Sequence, residues 1–67
     1  MKYNIQFEQE HDGCWIAEVS DLPGVLAYGK TRDDAMAKVE ALALRVVAER
    51  IEHGEFSPDF TISFSTL

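Results

Sequence analysis

The sequence predicts an α+β domain with the element order β-β-β-α-β. Three observations carry that prediction. Apolar and polar residues alternate near both ends of the chain, apolar residues recur at three- and four-residue steps through its middle, and two short runs of turn residues separate the first alternating segments. Alternation with period two is the mark of a half-buried strand, and steps of three and four mark the core-facing stripe of a helix.

The first strand lies within residues 1–10, with Tyr3, Ile5 and Phe7 on one face and Asn4, Gln6 and Glu8 on the other. His11-Asp12-Gly13 is a hairpin turn, with Asp-Gly as the strong local signal. The second strand follows over Cys14 to Val19. Trp15, Ala17 and Val19 share its inner face and leave Cys14, Ile16 and Glu18 outside. Asp21-Leu22-Pro23-Gly24 is turn chemistry: Pro23 presets φ for the second turn position, and Gly24 can take the positive φ that a type II turn demands at the third. Leu22 is an apolar residue at a loop tip, placed either to tuck under the sheet or to face a partner. Val25 to Tyr28 reads as a short third strand, and Gly29 permits a sharp turn after it.

Thr31 is the expected N-cap of the helix, with Asp34 three residues on, where a capping box places its acid. Asp33 and Asp34 suit the positive end of the helix dipole. The helix runs from about Arg32 to about His53, and Gly54 stands where glycine is favoured after a C-cap. Its core stripe is Ala35, Val39, Leu42, Ala43, Val46 and Arg50. A second, lighter stripe of Ala37, Ala41, Leu44, Ala48 and Ile51 exceeds what a helix lying on one sheet needs, so Leu44, Ala48 and Ile51 form a candidate oligomer face. Arg45 and Glu49 stand at the spacing of a helical ion pair. Glu55 to Asp59 is a loop, and Phe60, Ile62 and Phe64 alternate with Thr61, Ser63 and Ser65 in the last strand. A crossover through the helix brings that strand parallel to a neighbour in the sheet. The first strand is the natural neighbour, which gives the order 3-2-1-4 with the helix on one face. The expected core is Tyr3, Ile5, Phe7, Trp15, Ala17, Val19, Phe60, Ile62, Phe64 and the helix stripe.

A chain of 67 residues allows one domain, residues 1–67, and so small a domain buries only about 60% of its unfolded surface. The single cysteine, Cys14, permits neither an internal disulfide nor a cysteine zinc site, which leaves a dimer, a tetramer or a docked partner as reinforcement. The lone cysteine and the lack of a signal segment fit a cytoplasmic protein. No apolar run approaches the ~20 residues of a membrane span. Twelve acids against six bases give a net charge of −6, which disfavours direct nucleic-acid binding and suits a basic partner.

No residue set points to catalysis, a cofactor or a metal. Glu8 and Glu18 come near each other across the hairpin on the face away from the helix, but two acids on a solvated face are ordinary surface. His53 at a helix end is explained by the dipole, His11 sits in a turn, and Cys14 has no evident cationic neighbour to activate it. Lys2, Lys30, Arg32, Lys38, Arg45 and Arg50 form no run with interleaved aromatics.

Gly13-Cys14-Trp15-Ile16-Ala17-Glu18-Val19, then Asp21-Leu22-Pro23-Gly24, then Gly29-Lys30-Thr31, then Asp34-Ala35 follow one another in an order and spacing that resembles the HicB-like antitoxin family, over roughly residues 3 to 65. The resemblance implies a partial ribonuclease H-like fold whose task is to bind and silence HicA, a small RNA-cleaving toxin. Many relatives carry a C-terminal DNA-binding segment, which is not expected in this chain. The candidate partner-binding residues are Asp21, Leu22, Pro23, Gly24, Glu8 and Glu18. The alternative is a stand-alone homo-oligomeric adaptor of the same fold.

Overall fold

The computed structural model describes residues 2–55 and 61–66 of the chain. Its elements are β1 (Lys2–Gln9), β2 (Trp15–Val19), β3 (Leu26–Gly29), α1 (Arg32–Glu52) and β4 (Ser63–Thr66). They form one four-stranded sheet in the order β3-β2-β1-β4 with α1 on one face. β2 pairs antiparallel with both β1 and β3, and β4 pairs parallel with β1. This is the mixed sheet that the meander and the helical crossover predict.

The two connections within the meander are closed by identifiable hydrogen bonds. In the β1–β2 hairpin the Glu10 N–H donates to the Cys14 carbonyl at 2.7 Å and the Gly13 N–H donates to the Glu10 carbonyl at 3.0 Å. The Asp12 carboxylate accepts from the Cys14 N–H at 3.0 Å, an Asx turn that stiffens the tip. In the β2–β3 connection the Val25 N–H donates to the Leu22 carbonyl at 3.1 Å, and Gly24 takes φ +79°. Leu22 to Val25 is therefore the four-residue unit, with Pro23 and Gly24 at its centre in the type II manner.

The helix is stopped at both ends by its own residues. Thr31 is extended, and its hydroxyl accepts the Asp34 N–H at 3.0 Å. The Asp34 carboxylate reaches back one residue further than a capping box requires and accepts the Lys30 N–H at 3.1 Å. At the other end the Glu55 N–H donates to the Arg50 carbonyl and the Gly54 N–H to the Ile51 carbonyl, with Gly54 at φ +74°. This is a Schellman motif, which satisfies the last helical carbonyls. The guanidinium of Arg32 lies 4.0 Å above the Phe7 ring, which offsets the poor placement of a cation at a helix N-terminus.

Asp34 also pairs with Lys38 Nζ at 3.2 Å. The Lys30 N–H, the largest influence, and then the Lys38 ammonium hold its carboxyl below the ordinary value of 3.8. A carboxyl depressed in the folded state stabilises the fold fully above its unfolded value and loses that contribution as pH falls through its folded value. Thermal unfolding from about pH 6 to about pH 2.5 should show the midpoint of the native chain falling towards that of Asp34→Asn as acid is added. Parallel curves for the two proteins across that range would contradict the assignment.

The core is Tyr3 and Ile5 from β1, Ala17 and Val19 from β2, Leu22 and Val25 from the connection, and Ala35, Val39, Ala43 and Val47 from α1. The expected core is corrected in three places, and α1 packs over β2 and β3 rather than over the middle of the sheet. Phe7 of β1 and Ile62 and Phe64 beside or in β4 are therefore half-buried flanks instead of core centre, and Trp15, at the start of β2, is half-buried as well. The buried helical line runs in steps of four through Val47, and Leu42, Val46 and Arg50 flank it. Leu22 and Val25 fill the end of the core, each 2% exposed. The expected loop to Asp59 and the expected core position Phe60 lie largely or wholly outside the described residues. Arg45 and Glu49 form no ion pair; among the described residues the ion pair is Lys38 to Asp34.

Candidate protein-interaction face

The sheet face opposite α1 is divided by strand register into two halves of different chemistry. Glu8 of β1 stands opposite Ile16 of β2, and Ile16 stands opposite Tyr28 of β3. In the next row Gln6 faces Glu18, and Glu18 faces Leu26. Since side chains of one strand alternate between faces, these six share the outward side. Tyr28 is 57% and Leu26 40% exposed, Ile16 is half-buried, and both glutamates are exposed. The other half pairs Asn4 with Ser65 and Lys2 with Ser63 and carries no large apolar side chain among the described residues.

Glu8 and Glu18 are diagonal neighbours on adjacent strands, a geometry that separates the Cβ atoms by about 7–8 Å. Neither carboxylate makes an ion pair or hydrogen bond among the described residues. No group of three or more metal-ligating side chains occurs among those residues.

The candidate loop Asp21 to Gly24 divides differently. Leu22 takes the first of its two expected placements: its side chain is 2% exposed and offers no surface. The Asp21 carboxylate accepts the Asn4 N–H at 3.2 Å and so extends the β1 ladder past the point where β2 ends. Pro23 and Gly24 are left exposed at the tip. On the helix, Leu44 is 46% exposed and Ala48 is exposed, whereas Ile51 is half-buried against the core and so belongs only in part to the lighter stripe.

Beyond Tyr28 the outward face runs into a hollow of about 540 Å³ lined by Glu10, Asp12, Cys14, Tyr28, Lys30 and Lys38 among others. Two carboxylates and two ammonium groups give it no net sign, and Cys14 within it is a free thiol. Leu26 and Tyr28 are the residues that reasoning from sequence did not single out. Applying period two to the third strand, as to the first two, would have placed both beside Ile16.

Comparison with known proteins adds the family. The chain is 38% identical over 58 residues to a UPF0150 protein of Archaeoglobus fulgidus, covering 84% of each chain. It is also 32% identical over 59 residues to a UPF0150 protein of Thermoplasma acidophilum, covering 87% of this chain and 84% of the relative. The chain belongs to the UPF0150 family. No family model matches it, and no solved structure does. Both matches span most of this UPF0150 chain. No helix among the described residues of this UPF0150 chain is long and apolar enough to cross a membrane.

Proposed function

We propose that this UPF0150 protein is an antitoxin-type protein of the HicB kind, which binds a small basic RNA-cleaving toxin of the HicA kind in the cytoplasm and neutralises it. Neutralisation is by cover: the acidic domain occupies the toxin's RNA-binding and catalytic face and performs no chemistry of its own. The observation that carries this reading is the unneutralised negative charge. The net charge is −6, and among the described residues one ion pair, Lys38 to Asp34, engages a carboxylate. An RNA-cleaving protein must present cations to hold phosphate, and opposite fields steer and orient such a pair. The motif order that resembles HicB-like antitoxins points the same way.

The test is co-expression with any small basic protein encoded beside this gene. That protein alone should arrest growth and cleave RNA, and equimolar UPF0150 protein should abolish both effects. A neighbour that is harmless alone, or that fails to bind this chain, sinks the reading.

The exposed Leu44 with Ala37, Ala41 and Ala48 along one side of α1 favours a second reading, a homo-oligomeric adaptor, dimer or tetramer, with no toxin. Light scattering separates the two: Leu44→Glu should dissolve an oligomer built on that side of the helix.

A further inference from the structure

We propose that the outward face of β2 and β3 is the surface on which the basic partner docks, with apolar side chains laid on Ile16, Leu26 and Tyr28 and a cationic side chain between Glu8 and Glu18. This rests on the reading of a small basic partner given above and assigns its place on the fold.

Three features of the face converge. The first is contiguity. Register sets Ile16 directly beside Tyr28, and Leu26 lies next along the same strand and face. Among the described residues, Leu26 and Tyr28 are two of the three exposed large hydrophobics. Grouped apolar surface with a polar rim marks an interaction site more strongly than scattered single residues do. Tyrosine is also a residue that interfaces favour, since it offers a large rigid ring at small entropic cost.

The second is charge. Glu8 lies directly across from Ile16 and Glu18 two residues along its strand, so both border it, and no cation is bound to either among the described residues. Two carboxylates so placed suit a guanidinium, whose planar fork of donors can reach both and whose stem can lie on Ile16. Lys2, at the start of β1, and Lys30, just after β3, stand outside the two rows of side chains that make up this half of the face. A second copy docked through the same face would instead bring two more glutamates against these two, and such like-charge juxtaposition is unfavourable.

The third is the state of the competing surface. In the Asp21 to Gly24 loop, Leu22 is spent on the core and the Asp21 carboxylate on the Asn4 N–H, which leaves Pro23 and Gly24 as its outward contribution.

The experiment measures the affinity of the full chain for any small basic protein encoded beside its gene, by calorimetry at low and high salt. Glu8→Lys combined with Glu18→Lys should weaken binding by about 100-fold or more, with part of the loss removed at high salt. Leu26→Ser combined with Tyr28→Ser should weaken it by about tenfold or more, with little salt dependence. Leu44→Ser and Pro23→Ala should stay within about twofold of the native chain. Unchanged far-ultraviolet dichroism confirms that each variant is folded. If the native chain binds and both double variants bind equally well, or if only the Leu44 or Pro23 variant releases the partner, the face is wrongly assigned while the antitoxin reading stands. If the native chain binds no such protein, the antitoxin reading falls and the assignment falls with it.

Discussion

Gly29→Ala should destabilise the chain by about 3 kcal/mol or more, enough to unfold a large share of it at room temperature. Gly29 ends β3 and is buried under the first turn of α1. A Cβ at this position would fall on the backbone nitrogen of Ala35 and lie 2.8 Å from the Ala35 Cα and 2.9 Å from the Asp34 carbonyl carbon. All three are backbone atoms of the capped first turn, which Thr31 and Asp34 pin by hydrogen bonds. No side-chain rotation relieves the overlap, so the helix must lift off the end of β3 and open the core at Ala35. The whole domain has roughly 3–10 kcal/mol of stability at its size. Gly24→Ala is the informative contrast. Its Cβ meets nothing within 4 Å, but φ is +79°, so the cost is conformational and about 1 kcal/mol. Urea unfolding followed by Trp15 fluorescence compares the two. Equal midpoints would mean that the helix start yields without cost.

Leu22→Ala is the second large effect, at about 3 kcal/mol within a usual range of 2–5. A leucine in a turn is commonly exposed and its truncation harmless, whereas this one is 2% exposed and among the largest fully buried side chains of the chain. It packs in the same cluster as Val25, Val47 and Val19, so its truncation leaves a cavity there. A loss of that size lowers the melting temperature by about 12–24 °C in a domain of this length. Pro23→Ala, one residue along and exposed, should lower it by only a few degrees. A small shift for Leu22→Ala would place the leucine outside the core and return it to the surface as a docking residue.

These two positions also show how far the sequence could be read. Both were prominent in it, Leu22 as an apolar oddity in a turn and Gly29 as a glycine between strand and helix. Gly29 reads in sequence as a hinge that needs backbone freedom. Its actual constraint is steric, since its φ is not in the left-handed region and the helix backbone occupies the space a side chain would take. Leu22 had two placements consistent with its neighbours, and the turn sequence around it does not distinguish them. The interaction face was legible in halves. Glu8 and Glu18 were placed on the outward side by alternation, while Leu26 and Tyr28 joined them only once β3 was registered against β2.

What is local in this chain was written in its residues. Alternation of period two, the Asp-Gly and Pro-Gly turns, the Thr31 cap and Gly54 each act over a few neighbouring residues, and they were sufficient for the five elements. Two further rules, short antiparallel connections and a helical crossover to a parallel strand, were sufficient for the sheet order. What depends on the distance between elements was not written there. That α1 sits over β2 and β3, that Val47 rather than Val46 points inward, that Leu22 closes the core and that Gly29 meets the helix backbone all follow from how a rigid rod settles on a twisted sheet. Periodicity says which side of an element is apolar. Close packing decides which of those side chains finds a partner, and that choice is made by atoms far apart in the sequence.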